Sequence, residues 1–134
     1  MTPPTPLTVR LLPPREASDY EYFRNRLADL SVLENSVAVS LNRATLLAVA
    51  VGGQRRGGYL SVGLLLQALA IRRLLTGRPG FPDARVRWSP YRDTCHMVEW
   101  GDTPPWDDAS RGRFYGYSDT AVTAFFQERT PQTA

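Results

Sequence analysis

Lysine is absent from this chain, and all sixteen of its basic side chains are arginine. Isoleucine occurs once, as Ile71, and asparagine is scarce. A GC-rich coding sequence produces this pattern, so the arginine excess alone is no argument for a polyanionic partner. The net charge of +3 is mild, and nucleic-acid domains concentrate more charge on one face. With one cysteine, Cys95, no internal disulfide can form, which fits a reducing cytoplasm. No run of about 18 apolar residues exists, so no membrane span is expected. The first six residues, Met1-Thr2-Pro3-Pro4-Thr5-Pro6, lack the basic flank and apolar stretch of a signal peptide. With 43% hydrophobic and 22% charged residues, wholesale disorder is excluded. A chain of 134 residues builds one domain with one real core. Residues 7–129 are expected to form it, with Pro/Thr-rich or small polar tails at 1–6 and 130–134.

The uncommon side chains cluster. Residues 85–117 hold all three tryptophans (Trp88, Trp100, Trp106), three of six tyrosines, Cys95 and the single histidine, His96. These are groups that stack, donate or titrate near neutral pH, so this stretch is the first place to look for a site.

Residues 7–12 alternate apolar and polar as a strand does, and Pro13-Pro14 stop it. Ser18 and Glu21 read as a capping box. Tyr20, Phe23, Leu27 and Leu30 recur at helical spacing, predicting a helix to about residue 30. Residues 36–41 and 45–51 read as a hairpin turning at Asn42. The second arm is apolar almost throughout, as expected of a central strand buried on both faces. Ser61 is a candidate cap for a helix over 62–75 that is apolar nearly all round, hence deeply buried or covered by a second subunit. Arg72 and Arg73 suit its C-terminal end, with Gly77 as terminator. Residues 85–88 and 94–100 are strands, 101–116 a long loop, and Ser118 caps a last helix to about residue 129.

The resulting class is α+β: an antiparallel-rich sheet with helices on one face, in ferredoxin-like βαββαβ order, plus an extra strand and a C-terminal helix.

Four groupings could carry chemistry. Gly52-Gly53-Gln54-Arg55-Arg56-Gly57-Gly58-Tyr59 follows a buried strand and precedes a helix. Glycine amides approach oxyanions, and two guanidinium groups clamp a phosphate or carboxylate. It is no P-loop, since Tyr59 stands where lysine should, and no dinucleotide fingerprint. Cys95-His96 is poorly placed as a dyad, because adjacent strand residues point to opposite faces; a metal site would need carboxylates to complete it. Arg111-Gly112-Arg113-Phe114-Tyr115-Gly116-Tyr117 has the flavour of base-stacking motifs but lies off the central strands. Glu99, Asp102, Asp107 and Asp108 could do acid–base work, although loop acids are usually just solvated.

Several phrases taken together carry a resemblance: Arg55-Arg56-Gly57-Gly58-Tyr59, residues 74–83, Arg87-Trp88-Ser89-Pro90-Tyr91-Arg92-Asp93-Thr94-Cys95-His96, and Gly112-Arg113-Phe114-Tyr115-Gly116-Tyr117. The chain resembles a domain-of-unknown-function family of small soluble actinomycete proteins, over nearly its whole length. The resemblance implies a cytoplasmic bacterial protein and carries over no activity, cofactor or catalytic residue.

The reading that follows is a non-catalytic binding or regulatory module for a protein partner or an anionic ligand, without cofactor or metal. Its expected surface comprises Arg55, Arg56, Gly57, Gly58, Tyr59, Arg87, Trp88, Tyr91, Arg92 and His96. A nucleic-acid-binding accessory protein and a small enzyme using His96 with a nearby acid are the alternatives. The apolar helix over 62–75 adds a homodimer as an expectation.

Overall fold

A computed structural model of the chain describes residues 8–41, 43–90, 95–105 and 107–129. The expected tails, the turn residue Asn42, Tyr91, Arg92 and Trp106 lie outside them. The strands form two three-stranded antiparallel sheets. The first has β1 (Arg10–Leu12), β2 (Val37–Ser40) and β3 (Thr45–Ala48) in the order β1-β2-β3. The second has β4 (Gly57–Val62), β5 (Arg85–Arg87) and β6 (His96–Gly101) in the order β4-β6-β5. The helices are α1 (Tyr20–Arg24), α2 (Leu65–Leu75), α3 (Asp108–Phe114) and α4 (Asp119–Arg129), with 3-10 turns at Pro14–Glu16 and Leu30–Glu34. The α+β class holds. The ferredoxin-like order of one continuous sheet is not confirmed, because the strands divide between two sheets and β4 stands where a loop was expected.

The hairpin forms as the sequence predicts, with Ser40 opposite Thr45 and Val37 opposite Ala48. Its second arm is nevertheless an edge: β2 is central and β3 pairs on one side only. The apolar run is buried by what packs over it. Beyond β3, Val49 and Ala50 run through the core at 1% and 0% exposure, and side chains satisfy their backbone. The Val49 carbonyl accepts from Trp100 Nε1 (3.0 Å), and the Ala50 amide donates to Ser36 Oγ (2.9 Å).

The first helix is five residues long rather than a dozen. Past it, Ala28 N–H donates to the Gly116 carbonyl (2.8 Å) and the Arg26 carbonyl accepts from Ser118 N–H (2.8 Å). Pairing with the C-terminal segment thus replaces the next helical turn. Ser18 does not cap; its hydroxyl donates to the Thr45 carbonyl (3.0 Å), and the Asp19 carboxylate accepts from Leu47 N–H (2.8 Å).

Ser61 likewise lies in a strand, its hydroxyl against Met97 Sδ. Helix α2 starts at Leu65 and ends where expected, with Arg72 and Arg73 in its last turn. It is buried along one side only. Gln67, Ala68, Ile71 and Leu75 face inward, while Leu66 is 59% exposed. The expected loop at 101–116 contains α3, nucleated by Asp107, whose carboxylate accepts from Ser110 N–H (2.9 Å). Ser118 caps α4 through the Ala121 amide, as predicted.

One core fills the space between the sheets and α2: Val37, Val39, Leu60, Ile71, Phe81, Val98 and Trp100. A smaller one lies on the other face of the first sheet, beneath α1. The strand registers leave one face of the second sheet uncovered by the main core, carrying Tyr59, Ser61, Arg85, Arg87, Met97 and Glu99. No helix among the described residues is long and apolar enough to cross a membrane.

Candidate functional site

Arg55 closes a tight turn in which Gly52 and Arg55 exchange backbone hydrogen bonds of 3.0 and 2.9 Å. The turn drives its side chain inward, under the segment 114–117, and leaves the residue 5% exposed. Nε donates to the Val49 carbonyl (3.3 Å) and Nη1 to the Tyr115 carbonyl (2.7 Å). The guanidinium carbon lies 5.5 Å from the centre of the Tyr115 ring, and the Tyr117 hydroxyl is a further hydrogen-bond partner. Burial lowers the guanidinium pKa from 12.5 to about 10, against the opposing pull of Tyr117 and Tyr115. The group therefore stays charged at neutral pH. The ion pairs among the described residues use Arg24, Arg85 and Arg87, and none reaches Arg55.

A cavity of about 160 Å³ opens on this guanidinium, between α1, the edges of β3 and β4, and the 115–117 segment. Asp19, Phe23, Tyr59, Tyr115 and Tyr117 stand around it. Tyr59 and Tyr115 meet edge to face at 5.4 Å, while Phe23 and Tyr117 stack at 6.5 Å. Burial raises the Tyr115 phenol, and pushes Tyr117 up to about 12. Burial also raises the Asp19 carboxyl, opposed by the hydrogen bond from Leu47.

The Tyr117 proton is held more tightly in the folded chain than in the unfolded one. Its stabilising contribution is therefore complete below pH 10 and is lost as the pH climbs to about 12. In an ultraviolet phenolate titration, one tyrosine is expected to ionise last, near pH 12, and Tyr117→Phe should remove that step. A single wave near pH 10 in the folded protein would contradict the buried geometry.

The structure separates the residues that the sequence grouped together. Arg55 lies in the wall of the cavity and Tyr59 stands at its rim. Arg56 is exposed; its backbone ties the turn to Phe114 and Asp102, at 2.7 and 3.0 Å. Gly57 and Gly58 do not cradle an oxyanion as expected of a loop before a helix. They pair with Gly101 and Trp100 in the sheet. A Cβ on Gly57 would lie 2.6 Å from the Phe114 ring, and one on Gly58 2.5 Å from the Trp100 indole. These glycines admit aromatic rings.

Arg87 and Trp88 belong to the far edge strand of the second sheet and the residue after it, and His96 to the end of the central strand β6. With β6 between β4 and β5, Arg87 stands two strand spacings, ~10 Å, from β4, and His96 lies ~17 Å along the strands from the end where Gly57 pairs with Gly101, which adjoins Arg55. The expected shelf of paired arginines beside an indole wall therefore does not assemble. Trp88 is 60% exposed, whereas Trp100 is fully buried. Arg87 Nε is held by Glu99 (3.1 Å), and His96 Nδ1 accepts from Ser89 N–H (3.0 Å). Strand alternation puts His96 and Glu99 on opposite faces. No group of three or more potential metal ligands occurs among the described residues.

Sequence reasoning missed Asp19, Phe23, Tyr115 and Tyr117 as pocket residues. Tyr115 and Tyr117 carried a local signal in their aromatic-glycine phrase. Asp19 carried none, because only the approach of α1 to β3 brings it there.

No curated protein and no solved structure matches the chain. Residues 11–134 match the family of unknown function DUF6302. The match spans both sheets, the Arg55 pocket and all four helices, and the chain therefore belongs to that family.

Proposed function

We propose that the protein is a non-catalytic binding module that receives a small anionic group in the Arg55 pocket. One observation carries this reading: a buried guanidinium with no carboxylate partner among the described residues borders a cavity of its own. Removing a guanidinium from water costs several kcal/mol unless an anion and further hydrogen bonds restore what is lost. The carbonyls of Val49 and Tyr115 restore part of this. A carboxylate or phosphate entering the cavity would supply the remainder through charge-assisted bonds. The Tyr115 and Tyr117 phenols and the guanidinium stay protonated near neutral pH, which suits binding and orienting more than proton transfer. A long polyanion fits less well, because Arg85 and Arg87 on the open face of the second sheet already share Glu99. The lone, exposed Cys95 suits a reducing cytoplasm.

The test is titration of the protein with sodium acetate and with inorganic phosphate at low salt, followed by NMR. Shifts of the Arg55 Nε–H and of the Tyr115 and Tyr117 rings are expected. Arg55→Lys keeps the charge and loses the planar fork, and should weaken binding about tenfold. Arg55→Met should abolish it, with circular dichroism confirming that both variants fold. Anion-induced shifts confined to Arg56, Arg87 or the Trp88 region would overturn the assignment.

A further inference from the structure

The Arg55 pocket carries two opposite charges that do not meet. Asp19 lies in the same wall system as Arg55, yet no ion pair joins them. The Asp19 carboxylate accepts backbone hydrogen bonds from Leu47 and from its own amide, and no basic side chain among the described residues pairs with it. Both residues line one cavity of about 160 Å³ with aromatic walls from Phe23, Tyr59 and Tyr115. At about 30 Å³ per liquid water, that is room for about five waters, or a molecule of roughly five to eight non-hydrogen atoms.

A simple anion answers only half of this arrangement. It would neutralise Arg55 and leave Asp19 as an unpaired like charge across a small, partly desolvated space. A simple cation has the converse fault. A ligand with a carboxylate at one end and an ammonium at the other satisfies both walls at once, and its carbon skeleton would lie against the rings. We infer that the pocket's ligand is a small zwitterion of amino-acid size, its carboxylate at Arg55 and its ammonium at Asp19. This rests on the anion-binding reading of the same pocket and narrows it. The burial that raises the Asp19 carboxyl is consistent with a site whose counter-charge arrives with the ligand.

The experiment compares acetate, ethylammonium, glycine, β-alanine and γ-aminobutyrate as probes on the full chain, by NMR titration at one pH and ionic strength. The three zwitterions vary the charge separation in steps of one carbon. At least one of them is expected to bind about tenfold or more tightly than acetate. Its binding should lower the Asp19 pKa, followed through the carboxyl carbon resonance. Asp19→Asn retains an acceptor for Leu47 N–H and should abolish the preference for the zwitterion over acetate. If Asp19→Asn fails to fold, the wild-type comparison and the Asp19 titration decide the matter alone. Acetate binding as tightly as every zwitterion would overturn this inference and leave the anion site intact. If no carboxylate probe binds, this inference falls, and if inorganic phosphate also fails to bind, the anion-site reading falls with it.

Discussion

Trp100→Ala should cost about 4 kcal/mol of stability and lower the thermal midpoint by roughly 10 °C or more. The indole is fully buried between the sheets, edge to face with Phe81 at 5.2 Å. Its Nε1–H donates to the Val49 carbonyl, which also receives Arg55 Nε. Removing it opens a cavity where Gly58 offers no side chain to fill the space, and it takes away one of the two donors on Val49. Urea unfolding should show the loss as a lower midpoint with an unchanged slope. The emission of the fully buried Trp100 indole should be lost, while that of the exposed Trp88 remains. A loss under about 1 kcal/mol would mean that the indole does not occupy the core.

Gly116→Ala is expected to be nearly as costly, at about 3 kcal/mol, and it reaches the site. Gly116 has φ +75, a left-handed conformation that costs a side-chain-bearing residue roughly 1–2 kcal/mol. A Cβ there would also lie 2.6 Å from Arg55 Cβ and 3.1 Å from its Cα, overpacking of the kind that adds about 1–3 kcal/mol. Relief of that contact must displace the 115–117 segment from the guanidinium, so acetate binding should weaken along with stability. Gly77→Ala is the control. Gly77 has φ +85, but nothing lies within 4 Å of its added Cβ, so only the conformational cost of about 1 kcal/mol remains. Equal losses from the two substitutions would show that the close approach to Arg55 is not a constraint.

The difference between the two glycines also marks how far this chain can be read from its residues. Gly77 announces itself locally, after a helix ending in Arg72 and Arg73 and before Pro79. The Val37–Ala48 hairpin and the Ser118 cap are legible for the same reason. Each depends on contacts within a few residues, and alternation, turn formers and capping side chains encode such contacts directly. Gly57 and Gly58 misled because two glycines before Tyr59 and Ser61 hide the period of two of a strand and mimic a flexible loop before a cap. Their partners, Phe114 and the Trp100 indole, are 57 and 42 residues away, taking 114 − 57 and 100 − 58. Helix α1 stopped early for a similar reason, since Gly116 and Ser118 claim the backbone of Ala28 and Arg26.

The site follows the same division. Composition and local pattern alone were enough to determine an α+β chain with one substantial core, arginine as its only basic side chain besides His96, and a glycine-flanked Arg55-Arg56 pair. Only the tertiary structure decided that Arg55 is buried while Arg56 is not, that Trp88 and His96 stand apart from it, and that Asp19 and three tyrosines line the same cavity. The hydrogen bond from Arg55 to Tyr115 spans 60 residues. Whether an arginine beside a turn remains in water or becomes a desolvated charge depends on what folds over it, and a short stretch of sequence does not contain that information.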